Sequence, residues 1–358
     1  RGIRDRLLEI NKIAATYYYR QLRSENGKAG LDYLKKRELS DSTINSFGLG
    51  YATQSTGNLY KLLKDKGYDD DILKESGLFT YERGIHEKFW NRVIFPIMDI
   101  NNKVIGFGGR VMGDAKPKYL NSPETRLFDK SRNLYGLNIA RMSRKPNMII
   151  CEGYMDVISM HQAGFNQAVA SLGTALTPGH ARLMKRYTDN VLITYDSDEA
   201  GVKAALRAIP ILKEAGLSTK VINMRPYKDP DEFIKAMGAE AFQERIDNAE
   251  NSFMYEIGTM LRNYDRGDPE SETAFEREVA AKLVTFKEKL ERDNYLKAVC
   301  RQFMIPEDGM RQMVSRLGNQ EGIISRNAGA GTMQPTVERK PKKKREDGLR
   351  QAEKMLLT

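Results

Sequence analysis

The feature that most constrains the fold is a regular alternation of apolar runs and helical patterns between residues 147 and 237. Each apolar run has the length of a buried strand, and each stretch between two runs has the apolar spacing of a helix. The predicted strands are residues 148–151, 167–170, 191–195 and 220–224, and the predicted helices are residues 156–162, 178–187 and 201–215. Thr177 and Asp229 each precede a proline, which is typical of an N-cap residue followed by the first helical position. This alternation predicts a mainly parallel sheet covered by helices.

The segments on either side differ in texture, which predicts several subdomains. Residues 1–146 mix helical patterns (an opening helix, and residues 58–67) with strand patterns at 93–98 and 104–107, and they are expected to form an α+β N-terminal subdomain. Residues 147–237 are the sheet domain, and residues 238–322, with helical patterns at 274–290 and 293–304, are a predicted helical subdomain. Residues 323–346 read as a linker with a basic run, and residues 347–358 as the first turns of a further, truncated domain. The predicted fold class is therefore α+β and α/β with several subdomains.

Composition narrows the kinds of partner and site. The chain has 58 Lys and Arg against 48 Asp and Glu, a net charge of +10 that weakly favours a polyanionic partner. Its two cysteines, Cys151 and Cys300, are too few for a thiolate zinc site and fit a reducing, cytoplasmic setting. No apolar run approaches the roughly 18 residues that cross a bilayer, so no membrane association is expected.

Acidic residues follow three of the predicted strands. Glu152 and Asp156 come after the first, Asp196 and Asp198 after the third, and Asp229 and Asp231 after the fourth. In an open parallel sheet, ligands bind outside the carboxyl ends of the strands. If these strands are neighbours, the six side chains meet at one edge. Between them, the segment Ser171-Leu172-Gly173-Thr174 offers backbone N–H groups ahead of a helix.

Such a cluster of carboxylates is unfavourable without a cation. Two unit charges about 4 Å apart repel by roughly 1 kcal/mol in water and by more near a protein surface. Oxygen-only ligands suit Mg²⁺ or Mn²⁺, and these loops contain no His or Cys for zinc. The alternative is that each acid only caps a helix or solvates a loop. That is the usual explanation for one acid, and it is weaker for three sets at strand ends.

These residues resemble a known module. A strand ending in Glu-Gly (Glu152, Gly153), followed by a later strand ending in Asp-x-Asp (Asp196, Asp198), is similar to the Toprim signature of primases, topoisomerases and some nucleases. The motifs at 152–156 and 170–174 resemble the bacterial DnaG-type primase forms. Upstream motifs resemble the N-terminal subdomain of the DnaG RNA-polymerase core, at residues 92–97, 106–110, 117–125, 128–130 and 134–136. The resemblance covers roughly residues 1–320.

The resemblance implies DNA-templated synthesis of RNA primers from ribonucleoside triphosphates. It implies two or more Mg²⁺ or Mn²⁺ ions, with Glu152, Asp196 and Asp198 as principal ligands. Asp156, Asp229 and Asp231 would complete a second site or hold waters. A Toprim nuclease or topoisomerase, which breaks phosphodiester bonds, is the main alternative, and a replication scaffold without catalysis is another.

The resemblance also implies contacts to the template and the nucleotide. The residues in matching motifs are Arg110, Lys118, Asn121, Lys130 and Arg132, together with the loop that carries Gly173 and Thr174. The glycines at 106, 108 and 109 would let the backbone approach DNA closely.

The family's other domains do not match any part of this sequence. Its zinc-binding domain, which would hold the only zinc, has no counterpart here, and its helicase-binding domain has at most its opening turns. The implied partners are single-stranded DNA, an RNA–DNA hybrid, the replicative helicase and a single-strand-binding protein. The core is expected to be a monomer.

Overall fold

The computed structural model describes residues 2–320. Two compact units divide after Asp265. The first part of the first unit contains helices α1 (Ile3–Leu22), α2 (Lys28–Lys36), α3 (Asp41–Ser46), α4 (Asn58–Asp65), α5 (Asp70–Glu75) and α6 (Leu137–Ala140). Its strands are β1 (Gly50–Ala52), β2 (Phe79–Thr80), β3 (His86–Glu87), β4 (Arg92–Met98), β5 (Val104–Val111) and β6 (Tyr119–Asn121). Two short 3₁₀ helices are Glu25–Gly27 and Lys130–Arg132.

The N-terminal strands β1, β4, β5 and β6 form an antiparallel sheet in the order β1-β4-β5-β6. Helix α1 covers it, with Tyr18 fully buried against Phe107 in an edge-to-face contact at 5.5 Å between ring centroids. This burial fits the apolar spacing that predicted the opening helix.

The glycines of β5 serve the protein core, and the prediction that they let DNA approach is wrong. Gly106, Gly108 and Gly109 are all buried. A Cβ on Gly108 would lie 2.4 Å from the Tyr154 ring, and one on Gly109 would lie 2.8 Å from Phe89. The missing side chains make room for aromatic rings, so these positions face the interior.

The remainder of the first unit is the predicted sheet domain and the elements that follow it. Its strands are β7 (Met148–Cys151), β8 (Ala168–Ala170), β9 (Asn190–Ile193), β10 (Ser218–Val221) and β11 (Glu250–Asn251). Its helices are α7 (Tyr154–Gln162), α8 (Pro178–Lys185), α9 (Glu199–Glu214), α10 (Pro230–Asp247) and α11 (Ser252–Leu261). The strand order is β11-β10-β9-β7-β8, parallel throughout except for the edge strand β11. The predicted mixed fold class, with a mainly parallel sheet flanked by helices, is confirmed.

Both faces of this sheet are covered, which explains why its strands are apolar without alternation. Ile149 and Ile150 are adjacent on β7 and fully buried, but they belong to two different core clusters. Successive side chains of a strand point to opposite faces. A central strand between two helical layers must therefore be apolar at every position.

Local signals set several helix starts as predicted. The side chain of Thr177 accepts a hydrogen bond from the N–H of His180 at the start of α8, and Asp229 accepts one from Glu232 at the start of α10. Proline occupies the first turn of both helices. The strand ends are less well predicted, because β9 and β10 stop at Ile193 and Val221, two and three residues before the apolar runs end.

The second unit is helical over its described residues, with α12 (Pro269–Val284), α13 (Lys289–Phe303) and α14 (Glu307–Gln320). The prediction of one helix over 274–290 is wrong, since α12 ends at Val284 and a new helix begins at Lys289. Pro269 is the first residue of α12, behind the N-cap Asp268. The predicted linker at 323–346 and the segment 347–358 lie outside the described residues, and the proposed subdomain boundaries stay predictions.

None of the helices over residues 2–320 is both long enough and apolar enough to cross a membrane.

Candidate active site

The carboxyl ends of β7 and β9 bring the first two predicted site residues together. The two strands are parallel neighbours, with Ile150 paired to Ile193. Glu152 directly follows β7, and the N–H of Asp196 donates a hydrogen bond to its Oε1 at 3.0 Å. Strand β10 lies on the other side of β9, so the three strands that carry acidic ends are adjacent.

Asp156 lies among other carboxylates. It is on the first turn of α7, directly after the Glu152 turn. Burial raises the pKa of Asp156 well above its usual range, and the negative charges of Asp229 and Asp196 raise it further. No ion pair or hydrogen bond to a cation is found for its carboxylate within residues 2–320. A neighbouring positive charge would therefore stabilise the ionised form.

The pKa values of Glu152 and Asp196 are raised as well, but by less than that of Asp156. Burial raises the pKa of Glu152, and the charges of Asp196 and Asp198 add to this. The pKa of Asp196 is also raised, by burial first and then by Asp229. The ammonium of Lys228, 3.6 Å from Asp196 Oδ2, partly offsets the repulsion. We call Glu152, Asp156, Asp196 and Asp229 the acid cluster.

Asp198 and Asp229 cap helices and also contribute charge to this region. Asp198 Oδ1 accepts a hydrogen bond from Gly201 N at 2.8 Å, and Asp229 Oδ1 accepts one from Glu232 N at 2.8 Å. A Cβ on Gly201 would lie only 2.0 Å from the Asp196 carbonyl oxygen, so this tight turn requires glycine. Each of the two carboxylates uses one oxygen for its cap, and capping and metal binding are therefore compatible.

Asp231 has different surroundings. Its Oδ1 accepts a hydrogen bond from Ser159 Oγ, and its Oδ2 accepts from Arg37 at 2.8 Å and from Lys235 at 2.9 Å. Burial alone would raise the pKa of Asp231, yet these three donors bring it below its ordinary value. Both oxygens already have partners. We call Asp231, Ser159, Arg37 and Lys235 the Asp231 network.

A cavity of about 370 Å³ opens onto the acid cluster, and two cations, Arg37 and Lys118, also line it. Of the residues predicted from motifs, Lys118, Asn121 and Gly173 line this cavity. Arg37 was missed, since its Lys-Arg-Glu surroundings read as an ordinary charged helix end. Only the fold brings it to Asp231, 194 positions further along the chain.

The other predicted basic residues do not line this cavity. Arg110 donates a hydrogen bond to the carbonyl of Val111 at 2.6 Å, and its guanidinium lies 4.4 Å from the Tyr33 ring centroid. Lys130 and Arg132 lie on the short 3₁₀ helix, where Arg132 is 3.5 Å from Asp129. Any contact they make to a nucleic acid would lie outside the cavity.

The loop before α8 lies beside Asn121. Gly173 has φ +68°, and a Cβ there would lie 2.5 Å from Asn121 Nδ2, so glycine is required for both reasons. Asn121 Oδ1 accepts a hydrogen bond from the Tyr154 hydroxyl at 2.7 Å. Thr174 lines an adjoining cavity of about 350 Å³, which Glu152 and Gly173 line as well.

The acid cluster fits a hard divalent cation by donor chemistry and by charge. All its donors are carboxylate oxygens, which Mg²⁺ and Mn²⁺ prefer, and the negative charges of Asp229 and Asp196 add to the burial that raises the pKa of Asp156. Among residues 2–320, however, no three His, Cys, Asp or Glu side chains are already arranged to hold a metal ion. The assignment of Glu152, Asp196 and Asp198 as principal ligands, with Asp156, Asp229 and Asp231 at a second site, therefore stays a prediction.

Two family models match successive parts of the chain. A family model described as the N-terminal domain of the DNA primase catalytic core matches residues 17–141, and a Toprim-like model matches residues 149–234. DNA primase from Clostridium acetobutylicum is 42% identical over 91% of this chain and 55% of its own length. DNA primase from Synechococcus elongatus is 38% identical over 74% of this chain and 40% of its own length. The chain spans about half the length of these curated relatives.

Solved structures match over nearly their whole length. A DnaG catalytic core is 32% identical, with a TM-score of 0.72, and the match covers 85% of this chain and 99% of that one. A DnaG primase catalytic domain bound to single-stranded DNA is 32% identical, with a TM-score of 0.70 over 90% and 98% of the two chains. The RNA polymerase domain of Mycobacterium tuberculosis primase DnaG, in complex with DNA, is 28% identical, with a TM-score of 0.76 over 84% and 98%. The chain therefore belongs to the family of bacterial DnaG-type DNA primase catalytic cores.

Proposed function

We propose that this chain catalyses DNA-templated synthesis of short RNA primers from ribonucleoside triphosphates. The observation that carries the proposal is the acid cluster, which meets Arg37 and Lys118 in one cavity at the carboxyl ends of β7 and β9. The nucleotide and the DNA are negatively charged, so the carboxylates of the acid cluster would repel them. Divalent ions bound to the carboxylates, together with Arg37 and Lys118, would offset this repulsion. The match of residues 17–141 to a primase domain favours primer synthesis over a nuclease or topoisomerase activity.

The carboxylates would hold Mg²⁺ or Mn²⁺. Glu152, Asp196 and Asp198 are the proposed principal ligands, and Asp156 and Asp229 would complete a second site. We leave Asp231 out, because Ser159, Arg37 and Lys235 already use its oxygens. When bound, the ions would lower the pKa of the attacking 3′-hydroxyl and stabilise the departing pyrophosphate.

The cations and the amide side chain would orient the substrates. Arg37 keeps one nitrogen on Asp231 and lines the cavity, so its guanidinium can also face a phosphate. Lys118 supplies a point charge, and Asn121 is fixed by its hydrogen bond to Tyr154. Gly173 and Thr174 would offer backbone N–H groups to the nucleotide. Arg110, Lys130 and Arg132, outside the cavity, would contact the template strand or the RNA–DNA hybrid.

The partners are proposed from relatives. One similar catalytic domain is bound to single-stranded DNA, which supports a single-stranded template for this chain. A replicative helicase, a single-strand-binding protein and a cytoplasmic site at the replication fork stay predictions from the family.

Asp198→Asn tests the proposal. Asparagine caps a helix about as well as aspartate, so the variant keeps α9 and loses only the charge. We expect primer synthesis on a single-stranded template, with ribonucleotides and Mg²⁺, to fall by at least about 100-fold. Asp268→Asn is the matched control, since Asp268 caps α12 in the same way and is not a proposed ligand. Normal primer synthesis by Asp198→Asn would contradict the assignment of Asp198 as a ligand. If the unaltered chain cleaved the DNA instead of making primers, a nuclease function would be favoured.

A further inference from the structure

A second cavity, of about 170 Å³, lies behind the loop that carries Asp196. Its walls are the β9–α9 connection, the segment that continues β10, and helix α11. The side chains of Val202, Ala205 and Met224 make part of it apolar. Of the proposed metal ligands only Asp196 lines this cavity, and none of the residues proposed to orient the substrates does.

Two arginines line the cavity. Arg225 follows β10 and Arg262 directly follows α11, and both are exposed. Within residues 2–320, neither guanidinium makes a hydrogen bond or an ion pair. Burial raises the pKa of Tyr255, while the charges of Arg262 and Arg225 oppose that rise, so both act on the same hydroxyl. We call this space the arginine cavity.

The lining also holds two carboxylates, Asp196 and Glu250. The ammonium of Lys228, 3.6 Å from Asp196, offsets part of the charge of that carboxylate. Arg262 also complements the dipole at the C-terminal end of α11. That role accounts for one arginine and leaves Arg225 unexplained.

We propose that the arginine cavity binds a phosphate group. Arginine forms paired, charge-assisted hydrogen bonds to phosphate oxygens, and the Tyr255 hydroxyl can donate a further one. The apolar part of the lining can accommodate the nucleoside attached to that phosphate. The phosphate belongs either to a free nucleotide or to a nucleic-acid strand, and this inference goes beyond the proposed primer synthesis.

An occupant would touch the segment that carries Asp196. Asp196, Ser197 and Gly201 all line the arginine cavity. The N–H of Ser197 donates to the carbonyl of Lys228 at 2.8 Å, and its hydroxyl donates to the carbonyl of Tyr227 at 2.8 Å. The wall between the arginine cavity and the acid cluster is thus a hydrogen-bonded loop, and a bound phosphate would restrict its motion.

Calorimetric titration with inorganic pyrophosphate in the presence of a chelator tests the proposal on the full chain. Without divalent ions the acid cluster repels anions, so binding reports on cationic sites alone. We expect the dissociation constant to rise at least tenfold in the double variant Arg225→Gln, Arg262→Gln, because two charge-assisted contacts are lost. Both arginines are exposed, so the fold should persist, and circular dichroism checks this.

Arg182→Gln is the matched control, because Arg182 is an exposed arginine on α8 that does not line the arginine cavity. It should bind pyrophosphate like the unaltered chain. Absence of binding by the unaltered chain, an undiminished affinity in the double variant, or an equal loss in Arg182→Gln would each overturn the proposal. The result is independent of primer synthesis, which needs the divalent ions.

Competition then identifies the source of the phosphate. Displacement of pyrophosphate by GTP and not by a single-stranded oligonucleotide supports a nucleotide site. Displacement by the oligonucleotide supports a strand contact. Failure of both to displace pyrophosphate would overturn the inference that a nucleoside phosphate occupies the cavity.

Discussion

Asp156 and Asp231 are both aspartates that follow strands of the same sheet, yet their surroundings are opposite. Asp156 faces carboxylates, and its pKa is raised by burial and by its acidic neighbours. Asp231 is almost fully buried among a hydroxyl, a guanidinium and an ammonium, and its pKa is lowered by those donors. The charged neighbours of Asp156 named above are acidic, whereas Asp231 has two basic neighbours, Arg37 and Lys235. The charges around Asp156 would therefore stabilise a nearby cation, and those around Asp231 would repel one.

The contrast distinguishes the acid cluster, which is a proposed ligand site, from the Asp231 network, which supports that site structurally. The Asp231 network joins α10, α7 and the residue that follows α2, and Arg37 lines the cavity of the acid cluster. The ion pair with Asp231 fixes the position of Arg37 beside this cavity. Buried pairs are lost at high cost when one partner is removed, because the other charge remains desolvated.

The largest expected effect is that of Asp231→Ala. Removing the carboxylate leaves Arg37 and Lys235 without their partner, and we expect the free energy of unfolding to fall by about 2–4 kcal/mol. The value is below that of a wholly buried pair because the two cations are 31% and 30% exposed. Urea denaturation at pH 7 measures it. Since the folded pKa of Asp231 is lowered, this stability is present above about pH 4 and is lost as pH falls through the folded value.

Asp189→Ala is the control for that experiment. It removes an exposed ion pair with Lys185, in which the Asp189 side chain is 80% exposed, and should change stability by less than about 1 kcal/mol. If Asp231→Ala and Asp189→Ala lowered the free energy of unfolding equally, the Asp231 network would contribute no more to stability than an exposed ion pair.

Asp156→Asn should act in the opposite direction. In a chelator at pH 8, we expect the variant to be more stable than the unaltered chain by about 1 kcal/mol, because one repelling charge is gone. The folded pKa of Asp156 is raised, so ionisation costs stability as pH rises from about 4 through the folded value, and the variant lacks this decline. Thermal denaturation across pH measures both.

Added Mg²⁺ sharpens the same test. A bound cation favours the ionised Asp156, so the advantage of Asp156→Asn should shrink in Mg²⁺. An advantage that is the same with and without Mg²⁺ would mean that Asp156 takes no part in cation binding.

The smallest expected effect is that of Lys228→Gln. The ammonium of Lys228 lies 3.6 Å from Asp196 and is 61% exposed, so it competes weakly with a metal ion. Its removal should tighten Mg²⁺ binding by a factor of about 2–5, as follows from an exposed charge worth up to about 1 kcal/mol. The Mg²⁺ dependence of the melting temperature reports this. Weaker binding in the variant would mean that Lys228 helps to shape the acid cluster.

Helix and strand patterns were predictable where the local signal and the tertiary structure agree. The strand β7 runs from Met148 to Cys151, as its apolar run predicts, because both faces of a central strand are buried. The merged prediction over 274–290 failed because apolar spacing continues across the break between α12 and α13. The glycines of β5 were misread because a glycine's sequence position does not reveal whether a ring or a ligand fills the space beside it.

The sequence by itself determined the parallel sheet and the presence of acids at its strand ends, because both follow from short-range order along the chain. Which acids face one another was decided by the tertiary structure. Arg37 reaches Asp231 from 194 positions away, and that contact removes one aspartate from the proposed ligand set. A carboxylate's charge state depends on what surrounds it in space, so the distinction between Asp156 and Asp231 exists only in the folded chain.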